Sequence, residues 1–276
     1  GNLGKVENKG LDFSIDYVKR FNNDFDMSFK GTFTYAHNKV LEYDEPDFQK
    51  YPNISRVGHS VDQQLLYIAE RLFIDDSEVQ RNPKQNLGGW VSGGDIKYKN
   101  LPDVNGNYDN VIDSNDRQYT GMPTTPEIVY GFGPSFRYKK FDFSFFFQGA
   151  ARVSIMMNGI HPFGAEGIRN VLQFIADDYW SETNQNIYAE YPRLSKRDNE
   201  NNTKASTYWQ RNGAFLKLKN LEVGFNHKFF RVYLRGSNLL TFSPFKYWDP
   251  EMGSGSGLSY PTQRVFNVGV QFSINK

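Results

Sequence analysis

Residues 25–35 alternate apolar and polar side chains with a period of two, and the apolar side is mostly aromatic. Phe25, Met27, Phe29, Phe33 and Tyr35 lie on one side with Gly31 in register among them, and Asp26, Ser28, Lys30, Thr32 and Thr34 lie on the other. A strand sends successive side chains to opposite faces, so this segment has one greasy face and one wet face. Its length suits a strand tilted across a bilayer, which takes roughly 9–11 residues. What covers the greasy face, a protein core or lipid, decides the fold.

The alternation recurs along the chain. Leu11, Phe13, Ile15 and Tyr17 alternate with Asp12, Ser14 and Asp16, and Asn22, Asn23 and Asp24 make a turn, so a hairpin is predicted up to residue 35. A second hairpin is predicted at 127–151, turning at Lys139 and Lys140, with Phe141, Phe143, Phe145 and Phe147 on one face. Further strands are predicted at 214–226, 229–240 and 263–274. In the first of these the apolar register slips near Asn220, from Leu216 and Leu218 to Leu221, Val223 and Phe225, which predicts a β-bulge. The last alternates Phe266, Val268, Val270, Phe272 and Ile274 with polar residues and Gly269.

Between these strands lie a polar segment at 38–63, an ambiguous stretch at 64–74 in which Leu66, Tyr67 and Ile68 suit a strand, and irregular regions at 76–125 and 152–207. Residues 167–178 suit a short helix, with Ile168, Val171, Leu172 and Ile175 at helical spacing. Short turns thus alternate with loops of roughly 25–55 residues, which are uncommon in compact soluble domains. Outer-membrane barrels have this asymmetry. No second domain and no fixed-period repeat is legible.

The balance of 32 basic and 31 acidic residues gives no electrostatic reason to expect nucleic acid as a partner. Mean hydropathy is low at −0.64 although 16% of residues are aromatic, which suits sheets with two unlike faces. No run approaches the 18 apolar residues of a membrane-crossing helix. The opening GNLGKVENKG has no secretory-leader pattern and reads as mid-protein sequence. Cysteine is absent, which excludes disulfides and cysteine-based zinc sites.

Enzyme signatures are missing: there is no G-x-S-x-G, no phosphate-binding loop and no dinucleotide-binding glycine pattern. The GSGSG run at 253–257 reads as a flexible loop. His37, His59, His161 and His227 lack metal-ligand spacing and read as ordinary surface or loop residues. Asp75 with Asp76, and Asp177 with Asp178, read as solvated loop charges. Trp180, Trp209, Trp248 and the 17 tyrosines fit membrane-interface girdles or packing better than sugar-stacking platforms.

The run DVNGNYDNVIDSND at 103–116 is the best local chemical motif. Calcium takes six to eight oxygen ligands, and a turning loop supplies them at alternating positions. Counted from Asn105, side-chain oxygens come from Asn105, Asn107 and Asp109 at positions 1, 3 and 5. Val111 offers its carbonyl at 7, Asp113 falls at 9 and Asp116 at 12, with Ile112 as apolar anchor. Asn105 replaces the expected Asp, and Asn110 replaces the expected Gly, although Asn tolerates the left-handed conformation. A weak calcium site and a metal-free Asn/Asp-rich turn both fit.

Several segments, in order, resemble the C-terminal barrel region of SusC-like (SusC/RagA-type) TonB-dependent outer-membrane transporters of Bacteroidota. The run GKVENKG at 4–10 is similar to the family's N-x-G-x-V-x-N-K-G, and 105–116 to its acidic loop. Gly131 and Phe132, FDFS at 141–144 and FQG at 147–149 resemble its hairpin. Trp180, Asn184 and YPRL at 191–194 resemble its W-x-x-x-N…Y-P-R-L loop, and FLKLKNL at 215–221 its F-L-R-L-K-N-L strand. Asn238 with Leu239, DPE at 249–251, and Tyr260 with Pro261 complete the series. The acidic loop departs from the family at Asn105 and Asn110, and Asn275 and Lys276 follow the strand where barrels commonly end on an aromatic.

The resemblance implies an all-β fold: an antiparallel transmembrane β-barrel segment with long extracellular loops, the C-terminal part of a barrel of about 22 strands. Residues 1–276 would then supply roughly eight to ten strands, with plug and N-terminal strands outside the chain. It implies import of oligosaccharides or peptides across a Gram-negative outer membrane, without catalysis. The implied partners are a SusD-like surface lipoprotein, the bilayer, and TonB-ExbB-ExbD acting through the N-terminal region. The alternative is a soluble β-sandwich that binds carbohydrate, with its greasy faces packed on each other.

Overall fold

The computed structural model describes residues 3–162, 170–197 and 199–273. Seven long strands carry the alternating segments: β1 (Gly4–Arg20), β2 (Phe25–Tyr43), β3 (Ile128–Tyr138), β4 (Phe141–Ala151), β5 (Phe215–Asn226), β6 (Phe230–Phe242) and β7 (Val265–Phe272). They form one antiparallel sheet, each strand beside its neighbours in chain order. The three tight turns lie at one end and all the long loops leave from the other. Seven strands fall short of the eight to ten that the resemblance implies.

Register places like beside like. One transverse row runs Met27, Phe136, Phe143, Val223, Leu234, Val268, and a parallel row runs Phe13, Phe33, Tyr130, Gly149, Leu216, Phe242. Directly opposed residues in a ladder share a face, so the sheet has one continuous apolar face. Gly149 belongs to it because a Cβ there would lie 2.4 Å from the Tyr130 ring. On the other face Ser28, Ser135, Ser144, Glu222, Arg235 and Asn267 form an equally continuous polar row. The predicted bulge is present: Phe146 pairs with Asn220 and Phe147 with Leu218, leaving Lys219 extra. That one residue keeps the leucines on both sides of it on the apolar face.

The apolar face has no protein against it. Phe13 is 57% exposed, and Phe266, Val268 and Phe272 are 74–76% exposed. The buried core lies instead in the loops, where Leu66, Leu72, Ile96, Ile112, Ile155, Ile175, Trp180 and Trp209 pack into one cluster. A sandwich buries the apolar sides of two sheets against each other. This sheet buries neither, so the sandwich alternative fails.

The loops are more ordered than their composition implies. Strand β2 runs on to Tyr43, because 38–43, with Val40, Leu41 and Tyr43 among its polar residues, still pairs with β1 beyond the two apolar rows. The ambiguous stretch forms two short strands, Gln64–Tyr67 and Ala69–Leu72, which pair with Arg117–Thr120 and Ile96–Tyr98 inside the loop module. Helix α1 (Asp76–Arg81) is capped by Asp75, whose side chain accepts the Glu78 N–H. The predicted helix is present only as α2 (Gln173–Asp177), and Ile168 lies outside the described residues. A third short helix, α3 (Glu200–Thr203), was not legible; only its cap Asn199 signals it.

Candidate functional site

Two surfaces hold most of the polar side chains: the wet face of the sheet and the loop module above it. The wet face is bound laterally by ion pairs that cross strands. Arg137 on β3 meets Asp26 on β2; Arg231 on β6 meets Asp142 on β4 at 2.5 Å and Glu222 on β5 at 2.6 Å; Arg235 takes the other oxygen of Glu222 at 2.5 Å. Facing side chains of alternating sign neutralise one another and keep a hydrated surface with no net field. A shallow concavity of about 370 Å³ opens on this face, lined by Asp16, Ser28, Lys30, Ser135, Ser144 and Asn220. No nucleophile and base are paired there.

Where the strands leave the sheet, a buried carboxylate ties three of them together. Glu127, just before β3, takes His37 Nδ1 of β2 at 2.5 Å and Arg152 Nε, just after β4, at 2.5 Å. Arg152 sits at φ 52°, a strained left-handed backbone for a side chain of its size. His37 is thus a wall-to-loop tie, and His161 is buried against Tyr191 and Trp209. His161 is a loop residue, as read, but a buried one, and a lone histidine carries no signal of its tertiary partners.

The loop module is organised on Asp95, which is fully buried. Its carboxylate receives the Arg193 guanidinium at 2.8 and 3.0 Å, Asn199 and Asn202 side chains at 2.9 Å each, and the Ser92 N–H at 2.8 Å. Burial pushes the Asp95 carboxyl up, and Arg193 opposes that rise. Arg193 also stacks on Trp90, 4.2 Å from the ring centroid. Nearby, burial works to raise Glu78, but Arg71, the Ile74 N–H and Lys97 more than offset it and hold the carboxyl at about 2. Of the acidic pairs, Asp75, Asp76 and Asp177 are exposed as read from the sequence, and members of both pairs also anchor the backbone. Asp76 accepts from Ser92 and the Gly93 N–H, and Asp178 accepts the Glu190 N–H.

A second clasp joins module to wall. Lys217 on β5 is 1% exposed, and its ammonium reaches Asp249 at 2.6 Å and Glu251 at 2.5 Å, while Lys219 at the bulge reaches Glu251 at 2.7 Å. The glycine-rich run that follows is docked, not free: Gly255 pairs with Met157, and Ser254 accepts the Met156 N–H. Gly253 at φ 69° and Gly255 at φ 137° supply backbone conformations that other residues rarely adopt. Trp180, Trp209 and Trp248 pack in or against the loop core.

The acidic loop is turned as its sequence predicts at two points. Asn110 takes the left-handed conformation at φ 60°, and Ile112 is fully buried as an anchor. Asn105, Asn107 and Asp109 are exposed. Asp109 accepts the Val111 N–H and Asp113 the Asn115 N–H, so each spends one oxygen on the backbone. Asp116 is buried and spends both, on the N–H groups of Leu101 and Asp113 at 2.7 Å. Among the described residues no three His, Asp or Glu side chains converge on one point. Each carboxylate oxygen keeps a second lone pair beside its N–H bond.

Comparison with known proteins places these features in a family setting. No family model matches the chain. TonB-dependent receptor P3 of Formosa agariphila is 28% identical over 98% of this chain and 29% of its own length. TonB-dependent receptor SusC of Bacteroides thetaiotaomicron is 25% identical over 98% of the chain and 26% of its length. Among solved structures, the RagAB peptide importer in its open-open state superposes with a TM-score of 0.69 at 18% identity, over 98% of this chain and 29% of that one. In its closed-closed state the TM-score is 0.68 at 20% identity. The chain spans less than a third of the length of these proteins, and its sheet has their fold: a segment of antiparallel β-barrel wall.

Proposed function

We propose, for a chain related over nearly its whole length to the SusC-like TonB-dependent receptors, a role as the C-terminal part of an outer-membrane import barrel, with its apolar face on lipid and its ion-paired face on the lumen. The inverted burial carries this reading: an exposed apolar wall beside a buried loop core is the arrangement that lipid, and not water, stabilises. The outer edges of β1 and β7 are unpaired among the described residues, and the remaining strands of a barrel of about 22 would close them. The role is non-catalytic, and the loop module with its exposed Tyr188 and Trp90 faces a SusD-like lipoprotein that captures oligosaccharide or peptide cargo. The RagAB neighbours are peptide importers, and both cargo classes suit a wall of mixed, balanced charge. TonB-ExbB-ExbD would act through a segment outside this chain.

A matched pair of substitutions on β7 tests the lipid face. Val268 is 74% exposed, and in water Val268→Arg at such a position changes stability by within about 0.5 kcal/mol. Against a bilayer midplane an arginine costs about 2–4 kcal/mol. In the natural protein that carries this chain, folded into vesicles and unfolded with denaturant, Val268→Arg is expected to show the larger cost and Asn267→Arg to stay near wild type. Equal, negligible effects would remove the lipid assignment.

Calcium ligation by Asn105, Asn107, Asp109, Val111, Asp113 and Asp116 is a separate proposal that rests on ligand type. Asn105 and Asn107 bring no charge to the set, so the expected affinity is weak. In calorimetric titration, heat at millimolar calcium that disappears in Asp109→Ala supports it, and no heat removes it.

A further inference from the structure

At the turn end of the sheet the apolar face finishes on an aromatic residue in one strand after another. Phe25, Tyr138, Phe141 and Phe225 stand directly opposite one another across β2 to β5, and Phe230 opposite Phe272 across β6 and β7. Tyr138 and Phe141 are more than half exposed and Phe272 is 76% exposed. At or beside each of the three turns a lysine rests on an aromatic ring. Lys19 lies 5.2 Å from the Phe21 centroid, Lys139 lies 5.5 Å from Tyr138, and Lys228 lies 5.4 Å from Phe229. Lys140 is beside them and exposed.

None of these four lysines forms an ion pair among the described residues, whereas Arg137 and Arg231 near the same strand ends are paired across the wet face. Lys19 stands in the apolar row itself, opposite Met27, so its stem runs along greasy surface and its ammonium emerges past the aromatics. The turns add only Asp24 as an acid. The result is a basic rim beside an aromatic belt, with three of the lysines on ring faces.

We propose that this rim is a docking surface for the headgroups of anionic phospholipids, with Lys19, Lys139, Lys140 and Lys228 meeting their phosphates while the aromatic row sits at the glycerol level. The proposal rests on the lipid-facing reading of the sheet and names the leaflet chemistry that its turn end selects. Charge complementarity carries it: four lysines at the turn end, without an ion pair among the described residues, match a layer of phosphodiesters, and aromatic rings favour that interface. A lysine near a charged membrane surface is worth about 1 kcal/mol, or about a fivefold enrichment of anionic lipid.

The test uses the natural protein that carries this chain, reconstituted in nanodiscs of phosphatidylcholine with a minor fraction of phosphatidylglycerol. Native mass spectrometry reads the lipids that stay bound. Wild type is expected to retain phosphatidylglycerol at least about fivefold over its share. The combined Lys19→Gln, Lys139→Gln, Lys140→Gln, Lys228→Gln protein should lose that enrichment, and the corresponding Lys→Arg protein should keep it. Incorporation with no enrichment in wild type, or enrichment unchanged in the glutamine protein, overturns the rim alone. Failure to enter the discs overturns the lipid-facing reading and the rim with it.

Discussion

Replacing Arg193 with leucine is expected to destabilise the loop module by about 3–4 kcal/mol while leaving the wall intact. Removing one partner of a buried ion pair costs about 3–5 kcal/mol, because the other charge is left without compensation in a low dielectric. Asp95 is fully buried, so the cost is not softened by water, but Asn199, Asn202 and the Ser92 N–H still hold its oxygens. That places the effect at the low end of the range. Hydrogen exchange by mass spectrometry on the natural protein separates module from wall. A loss of about 3 kcal/mol corresponds to exchange about a hundredfold faster in segments 84–98 and 191–212, with 128–151 unchanged. Adding Asp95→Asn to Arg193→Leu removes the stranded charge and is expected to restore part of the loss. If Arg193→Leu alone leaves both segments protected, the pair does not organise the module. Arg193→Lys should lie between, since a lysine keeps the charge but not the planar fork or the stacking on Trp90.

The second large effect belongs to Lys217. Lys217→Met takes the ammonium from Asp249 and leaves Glu251 with Lys219. Their carboxylates are about one-fifth exposed, so water recovers part of the penalty and the expected loss is about 2–3 kcal/mol. Faster exchange should appear at 245–257, where the loop is held to the wall. The pH dependence gives an independent readout. Burial works to raise both carboxyls, but Lys217 and its neighbours more than offset it, so both are held below their ordinary values of 3.8 and 4.5. A carboxyl lowered in the folded state contributes stability that is fully present above its unfolded value and is lost as pH falls through the folded one. Wild type should therefore lose protection of 245–257 on acidification below about pH 4. The Lys217→Met protein should show a much smaller change over the same window, having little of that stability to lose. An unaltered acid profile in the variant would mean that Lys217 does not hold these groups.

Both effects act at places the sequence marked only as family-like segments. YPRL at 191–194 and DPE at 249–251 were legible as motifs, but their partners were not. Asp95 lies in a run that carries no motif, and Lys217 reads as one of two wet-face lysines in an alternating strand. An ion pair between residues about a hundred positions apart leaves no trace in local periodicity. The same limit explains the histidines and the acidic pairs. The backbone bonds of Asp75, Asp76 and Asp178 are not legible in the sequence because caps and loop anchors use the same residues as solvated turns.

What the sequence determined by itself was the wall. Period-two alternation set each strand's two faces, the shift near Asn220 set the bulge, and short turns against long loops set which end is which. These are local properties, because side-chain direction in a strand depends only on position along it. Tertiary structure decided the rest. It showed that the apolar face meets no protein and that the loops, polar and irregular when read alone, bury the only large core among the described residues. It also lined up aromatics across β2 to β7 at the turn end, with lysines beside them. Burial and transverse alignment are relations between distant segments, and they exist only once register has placed those segments side by side.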